Sequence, residues 1–154
     1  MKLAWQAPWL RLRSLRVERA RMALMEAEVA AAGARQLVDA RQRAIAQGRV
    51  RLVNLAHGWS AADALPRWAG SVTAHRDALA ERLERDEYAL IDEEQALEQA
   101  LDLAQQRRAA LASAMARQEA VQALVEHQRK ADRLGLERRA EREQDDAWRP
   151  GAAG

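Results

Sequence analysis

The sequence predicts an all-α protein: two long helices forming an antiparallel coiled-coil hairpin, the second longer than the first. Three observations predict it. The composition is that of long helices, with 36 alanines and 23 arginines among 154 residues, two lysines, and no phenylalanine or cysteine. Apolar residues recur at sevens through most of the chain. Only one stretch, residues 58–70, collects the glycine, proline and capping signals that end a helix. A compact globule fills its interior with large branched and aromatic side chains. Here alanine supplies much of the 49% hydrophobic content, and aromatics only 4%. This argues against a β-sandwich, a Rossmann enzyme or a TIM barrel.

The first helix is expected over residues 8–57. Pro8 suits a first turn, where its missing N–H costs nothing. Gly58 is a candidate left-handed C-cap, and His57 sits where the helix dipole favours a cation. Leu15, Met22 and Val29 recur at sevens, with Met25 and Ala32 three residues on from the last two. Val38, Ile45 and Leu52 then recur at sevens, with Leu55 following. The step from Val29 to Val38 is nine residues, so a break in the heptad phase is expected there. Gly33 and Gly48 each weaken a helix by up to about 1 kcal/mol.

The connection is expected over 58–70. Ser60 and Asp63 have the spacing of a capping box, and a single turn before Pro66 is expected. Trp59 and Trp68 both lie in this stretch, as a pin for the turn or an aromatic anchor for a partner. The second helix is expected over 71–147, capped by Ser71 or Thr73. Leu83, Leu90, Leu97, Ala104, Leu111, Gln118 and Val125 share one heptad position, and Leu101 and Met115 lie four residues beyond members of that set. Residues 148–154 read as a frayed tail. At 1.5 Å per residue the helices would span roughly 75 Å and 110 Å, so the second should overhang the first.

Charge is uneven although the net is only +2. Residues 1–58 hold 11 basic against 4 acidic residues, and residues 59–125 hold 7 against 12. An antiparallel hairpin would lay the basic segment along the acidic one and so favour one register.

Catalysis finds little footing. Without cysteine there is no disulfide, thiolate nucleophile or thiolate-bound metal. His57, His75 and His127 are far apart, and none has a second histidine three or four residues away, so no metal or other cofactor is expected. Asp92-Glu93-Glu94 and Asp145-Asp146 are adjacent helical residues that point apart, and read as solvated acidic faces. No phosphate-binding glycine loop is present. No apolar run is long enough to span a membrane, and the N-terminal stretch is too interrupted for a secretory leader; a soluble cytoplasmic protein is expected. Arg11, Arg13, Arg16, Arg19 and Arg21 scatter round their helix among aliphatic residues, which offers bases nothing to stack on, so no nucleic-acid partner is expected. Trp5, Trp9, Leu10 and Leu12 among arginines are compatible with an interfacial helix, or with packing against the C-terminal helix near Trp148.

The opening Leu10-Arg11-Leu12-Arg13-Ser14-Leu15-Arg16-Val17-Glu18-Arg19-Ala20-Arg21 resembles that of the type III secretion stalk proteins, the YscO family of injectisomes related to flagellar FliJ. Arg117-Gln118-Glu119-Ala120-Val121-Gln122-Ala123-Leu124 and the mixed-charge run from Glu137 to Asp146 are similar too, as are the length, basic start and central break. Gly33 and Gly48 have no counterpart in that pattern.

The resemblance implies a shaft without an active site of its own. It would insert into the hexameric secretion ATPase and couple it to the export gate protein; some members also bind export chaperones. On this sequence Arg11, Arg13, Arg16, Arg19, Arg138, Arg139 and Arg142 would meet the ATPase, and Trp59 and Trp68 the export gate. The setting would be cytoplasmic, peripheral to the inner-membrane apparatus, in an injectisome or a flagellum, with the opening segment closer to the injectisome branch. A generic cytoplasmic scaffolding coiled coil, or a basic helix binding nucleic acid or a membrane surface, is the alternative from the residues alone.

Overall fold

The computed structural model describes residues 4–61, 66–149 and 151, and for 59–61 and 66–68 the backbone alone. Two helices account for it: α1, Gln6–Ala61, and α2, Pro66–Trp148. The all-α class and the longer second helix expected from the sequence are what the structure shows, with 56 residues in α1 and 83 in α2.

Both helices reach further into the expected connection. α1 passes through Gly58 without a left-handed cap and continues to Ala61. α2 opens on Pro66 itself, whose fixed φ and missing N–H suit a first helical residue. Ser71 and Thr73 are therefore interior, and the Thr73 hydroxyl donates to the Ala69 carbonyl at 2.9 Å, the usual outlet for a mid-helix threonine. Asp63, half of the expected capping box, lies outside the described residues. At the start, the Trp9 N–H donates to the Trp5 carbonyl at 3.3 Å. Pro8 thus falls among the first-turn positions that have no intrahelical acceptor. At the far end the helix persists to Trp148, the first residue of the expected frayed tail.

The chain forms two compact units. The middle unit is Ala23–Arg108, and the terminal unit combines Met1–Met22 with Ala109–Gly154. In the middle unit the helices run antiparallel: Glu28 meets Arg108, Arg41 meets Glu93, and Arg49 meets Glu87. Its seam on α1 consists of Leu24, Ala31, Val38, Ile45 and Leu52, alternating with Ala27, Ala34, Arg41, Gly48 and Leu55. In the terminal unit the same two heptad positions hold Leu10 and Val17, with Gln6, Arg13 and Ala20.

This corrects the expected seam of α1. Leu15, Met22, Met25 and Val29 are exposed, Val29 at 73%, on the side turned away from α2. No phase break exists: Leu10, Val17, Leu24, Ala31, Val38, Ile45 and Leu52 are an unbroken series of sevens. Between Val17 and Val38, Leu24 is the only large residue of the seam; Ala20, Ala27, Ala31 and Ala34 fill its other positions. Small residues let helix axes approach closely, so each alanine contact buries little area without leaving a gap.

On α2 the set from Leu83 to Val125 does face inward. Its companion set lies three residues on, not four: Asp86, Glu93, Ala100, Ala114 and Val121. Leu101 and Met115 are exposed. Inward-facing positions of α2 become sparse after Gln128; the following residues to Trp148 are exposed apart from Gly135. Along this stretch the Gln128 amide donates to Asp132 Oδ1 at 3.0 Å, one helical turn on.

Candidate functional site

The strongest polar constellation is one that sequence patterning did not single out. Arg41 stands at a seam position of α1, and Asp86 and Glu93 stand seven residues apart at a seam position of α2. Seven residues are two turns, about 10.5 Å, and the guanidinium bridges that gap. Its Nη1 donates to Asp86 Oδ1 at 2.7 Å. Nη2 and Nε reach Glu93 Oε1 and Oε2 at 2.8 and 3.2 Å, a side-on fork. All three side chains are part-buried.

Hydrogen bonds donated to Glu93 first and to Asp86 second hold the Arg41 guanidinium above its ordinary protonation range. A raised basic group stabilises the fold below its unfolded value and loses that effect only as pH climbs through the folded one. For arginine this window lies beyond any pH at which proteins are handled, so the contact acts as a fixed lock. Arg49–Glu87 at 2.8 Å and Arg108–Glu28 at 3.1 Å are more exposed, and such pairs contribute roughly 0.2–1 kcal/mol each.

The signal for this lock is present in the sequence. A basic residue interrupts the α1 heptad and two acidic residues interrupt the α2 heptad at facing levels. Weighing charge by segment anticipates the attraction of α1 for the acidic part of α2, not the residues that carry it.

The terminal unit presents its charge differently. Arg11, Arg16 and Arg19 are exposed, and among the described residues none makes an ion pair. Arg13 is half-buried with its guanidinium over the Trp9 ring, 5.6 Å from the centroid. Trp9 meets Trp5 edge to face at 6.3 Å. These tryptophans contact each other across the start of α1. The expected packing near Trp148 does not occur, since that residue is 86% exposed. Arg21 pairs loosely with Glu18 at 3.7 Å.

Arg138, Arg139 and Arg142 are also exposed in this unit, but the structure does not gather them with the first set. Gln118 bonds Ser14 at 3.2 Å, and Arg138 lies twenty residues further along α2, about 30 Å of helix. The two groups are separate basic patches. The side chains of Trp59 and Trp68 lie outside the described part of the structure; their backbones belong to α1 and α2.

Gln6 is another residue that no sequence signal marks. It opens α1, is 2% exposed, and neither its amide nitrogen nor its amide oxygen has a partner among the described residues. An unmet buried amide costs about 1–3 kcal/mol.

His57, His75 and His127 are exposed. Among the described residues no group of three histidines, cysteines or carboxylates could hold a metal. No described helix is long and apolar enough to cross a membrane. No protein-family model, characterised protein or solved structure matches this chain.

Proposed function

We propose that this protein is the central stalk of a type III secretion system, coupling the hexameric secretion ATPase to the export gate. One observation carries the reading: Arg11, Arg16 and Arg19 stand exposed on a long helix, engaging no carboxylate among the described residues. The Leu-Arg opening that resembles the injectisome stalk family supplies these residues. A shaft must transmit force through long helices, and its contacts with a cycling ring must be weak enough to exchange. Exposed arginine–carboxylate contacts satisfy the second condition, since each is small and screened by salt.

In this proposal Arg11, Arg13, Arg16 and Arg19 face acidic pore loops of the ATPase. Arg138, Arg139 and Arg142 form a second contact further along α2. Trp59 and Trp68 serve the export gate, and export chaperones bind in turn. The protein has no active site, because hydrolysis occurs in its partner, and it works in the cytoplasm against the inner-membrane apparatus of an injectisome.

The test is co-purification with the secretion ATPase and stimulation of its turnover. The R11E/R13E/R16E/R19E variant should lose stimulation while keeping its helical circular dichroism. Stimulation that survives this charge reversal would remove the pore assignment.

A further inference from the structure

The first seventeen residues contain Lys2, Arg11, Arg13 and Arg16 and no acidic residue; Glu18 is the first. In the same stretch Trp5, Pro8, Trp9, Leu12 and Leu15 are all exposed. At 100° per residue these five side chains fall within an arc of roughly 120°. The arc lies away from the buried or half-buried Gln6, Leu10 and Val17 that face α2. A shallow hollow lined by Pro8, Arg11, Leu12 and Leu15 lies along one edge of it. At the other edge Trp9 is flanked by the Trp5 ring and the Arg13 guanidinium.

We propose that this face of α1, in the terminal unit, docks reversibly on the surface of an anionic lipid bilayer. Three features favour lipid. Tryptophan rings settle at headgroup depth, with an apolar body below and an indole N–H in the wet layer. Arginines beside them can lay their methylene stems along the apolar surface while the guanidinium reaches phosphate. No carboxylate stands within the first seventeen residues, so this stretch of the chain itself carries no charge that repels an anionic surface. The patch runs only about 15 Å along the helix, from Trp5 to Leu15. A contact this short holds only when apolar insertion and charge attraction act together. The inference goes beyond the stalk reading and does not rest on it.

The experiment uses the full chain in the W59F/W68F/W148F background, so that Trp5 and Trp9 report alone. It is mixed with phosphatidylcholine vesicles, with and without phosphatidylglycerol. Co-sedimentation with the anionic vesicles only, a blue shift in tryptophan emission and quenching by brominated acyl chains are expected, weakening as salt is raised. R11Q/R16Q should weaken binding by roughly tenfold or more, and L12S should abolish the blue shift. Arg11, Leu12 and Arg16 are exposed, so these substitutions should leave circular dichroism unchanged relative to the background chain.

No binding to anionic vesicles, or equal binding to uncharged ones, overturns the proposal. So does a chain that self-associates in solution and becomes monomeric with L12S while ignoring vesicles, because the face would then belong to a second copy. No ATPase is present in the assay, so its outcome is independent of the stalk test.

Discussion

Gln6 and Arg41 occupy the same heptad position of α1, one in each unit, and the two units treat them oppositely. Arg41 is met by two carboxylates at 2.7 and 2.8 Å. Gln6 is more deeply buried and has no partner among the described residues. A polar group in an apolar seam favours the register that satisfies it. In the middle unit that satisfaction comes from α2, so this pairing is specified within the chain. In the terminal unit the seam amide adds cost instead, and the nearby arginines Arg11, Arg16 and Arg19 are turned outward with no ion pair among the described residues. The middle unit satisfies its seam charge within its own fold, and the terminal unit leaves its seam amide unmet among the described residues.

The sharpest way to break this contrast is to cut the seam where it is best filled. Ile45 is 4% exposed in the middle unit. Ile45→Ala should cost about 2–4 kcal/mol, the transfer of the lost methyls plus the cavity left behind. Met22→Ala, on the outer face of the same helix, should change stability by less than about 0.5 kcal/mol. Chemical denaturation of both variants checks the pair. Equal losses would mean that the outer stripe carries packing energy and that the seam has been assigned to the wrong side.

The same pair shows how far the sequence can be read. The fold class was legible because composition and sevenfold recurrence act over many residues at once. The inward set on α2 was legible because leucine dominates it, from Leu83 through Leu111. On the first half of α1 the larger apolar side chains are divided between two faces. Leu15, Met22 and Val29 outweigh Ala20, Ala27 and Ala31 in any measure of transfer free energy, yet alanine is what a close helix contact accepts. Leu24 marks the true seam, seven residues from Val17, but Ala31 follows it and the recurrence fades beside the larger outer stripe. The apparent nine-residue step came from joining that outer stripe to the inner one. The helix ends were missed for a related reason: Gly58 and Pro66 both signal a break, but glycine is tolerated inside a helix at about 1 kcal/mol and proline can begin one. At the candidate site, the sequence shows which arginines stand in the basic stretches, but not their separation into two patches, which depends on which level of α2 meets Ser14, nor the pairing of Arg41 with Asp86 and Glu93.

Arg41 and Gln6 themselves give the next contrast, and here the signs should differ. Arg41→Gln leaves Asp86 and Glu93 facing α1 without their cation. It should lower the melting temperature more than Arg49→Gln does at the more exposed Arg49–Glu87 pair. Gln6→Leu removes an unmet buried amide at similar volume and should raise stability by about 1 kcal/mol. Thermal melts followed by circular dichroism read all three. A drop for Gln6→Leu would show that the amide is bonded in solution and that the terminal unit has a polar lock of its own.

The smallest expected effect tests the closeness of the seam. Gly48 shares the heptad position of Gln6 and Arg41 and borders a hollow lined by Ala44, Gln47, Leu79 and Leu83 among others. A methyl placed on Gly48 would lie 3.5 Å from Leu83 Cδ1, an ordinary contact, and the backbone there is not left-handed. Gly48→Ala should therefore stabilise by about 1 kcal/mol, combining helix propensity with a new contact. Gly33 has open space around the same added methyl, so Gly33→Ala should gain the propensity part alone. The difference between the two isolates what one methyl contributes at the interface. If Gly48→Ala instead destabilises, the helices approach more closely in solution than that contact allows, and the glycine is there to permit it.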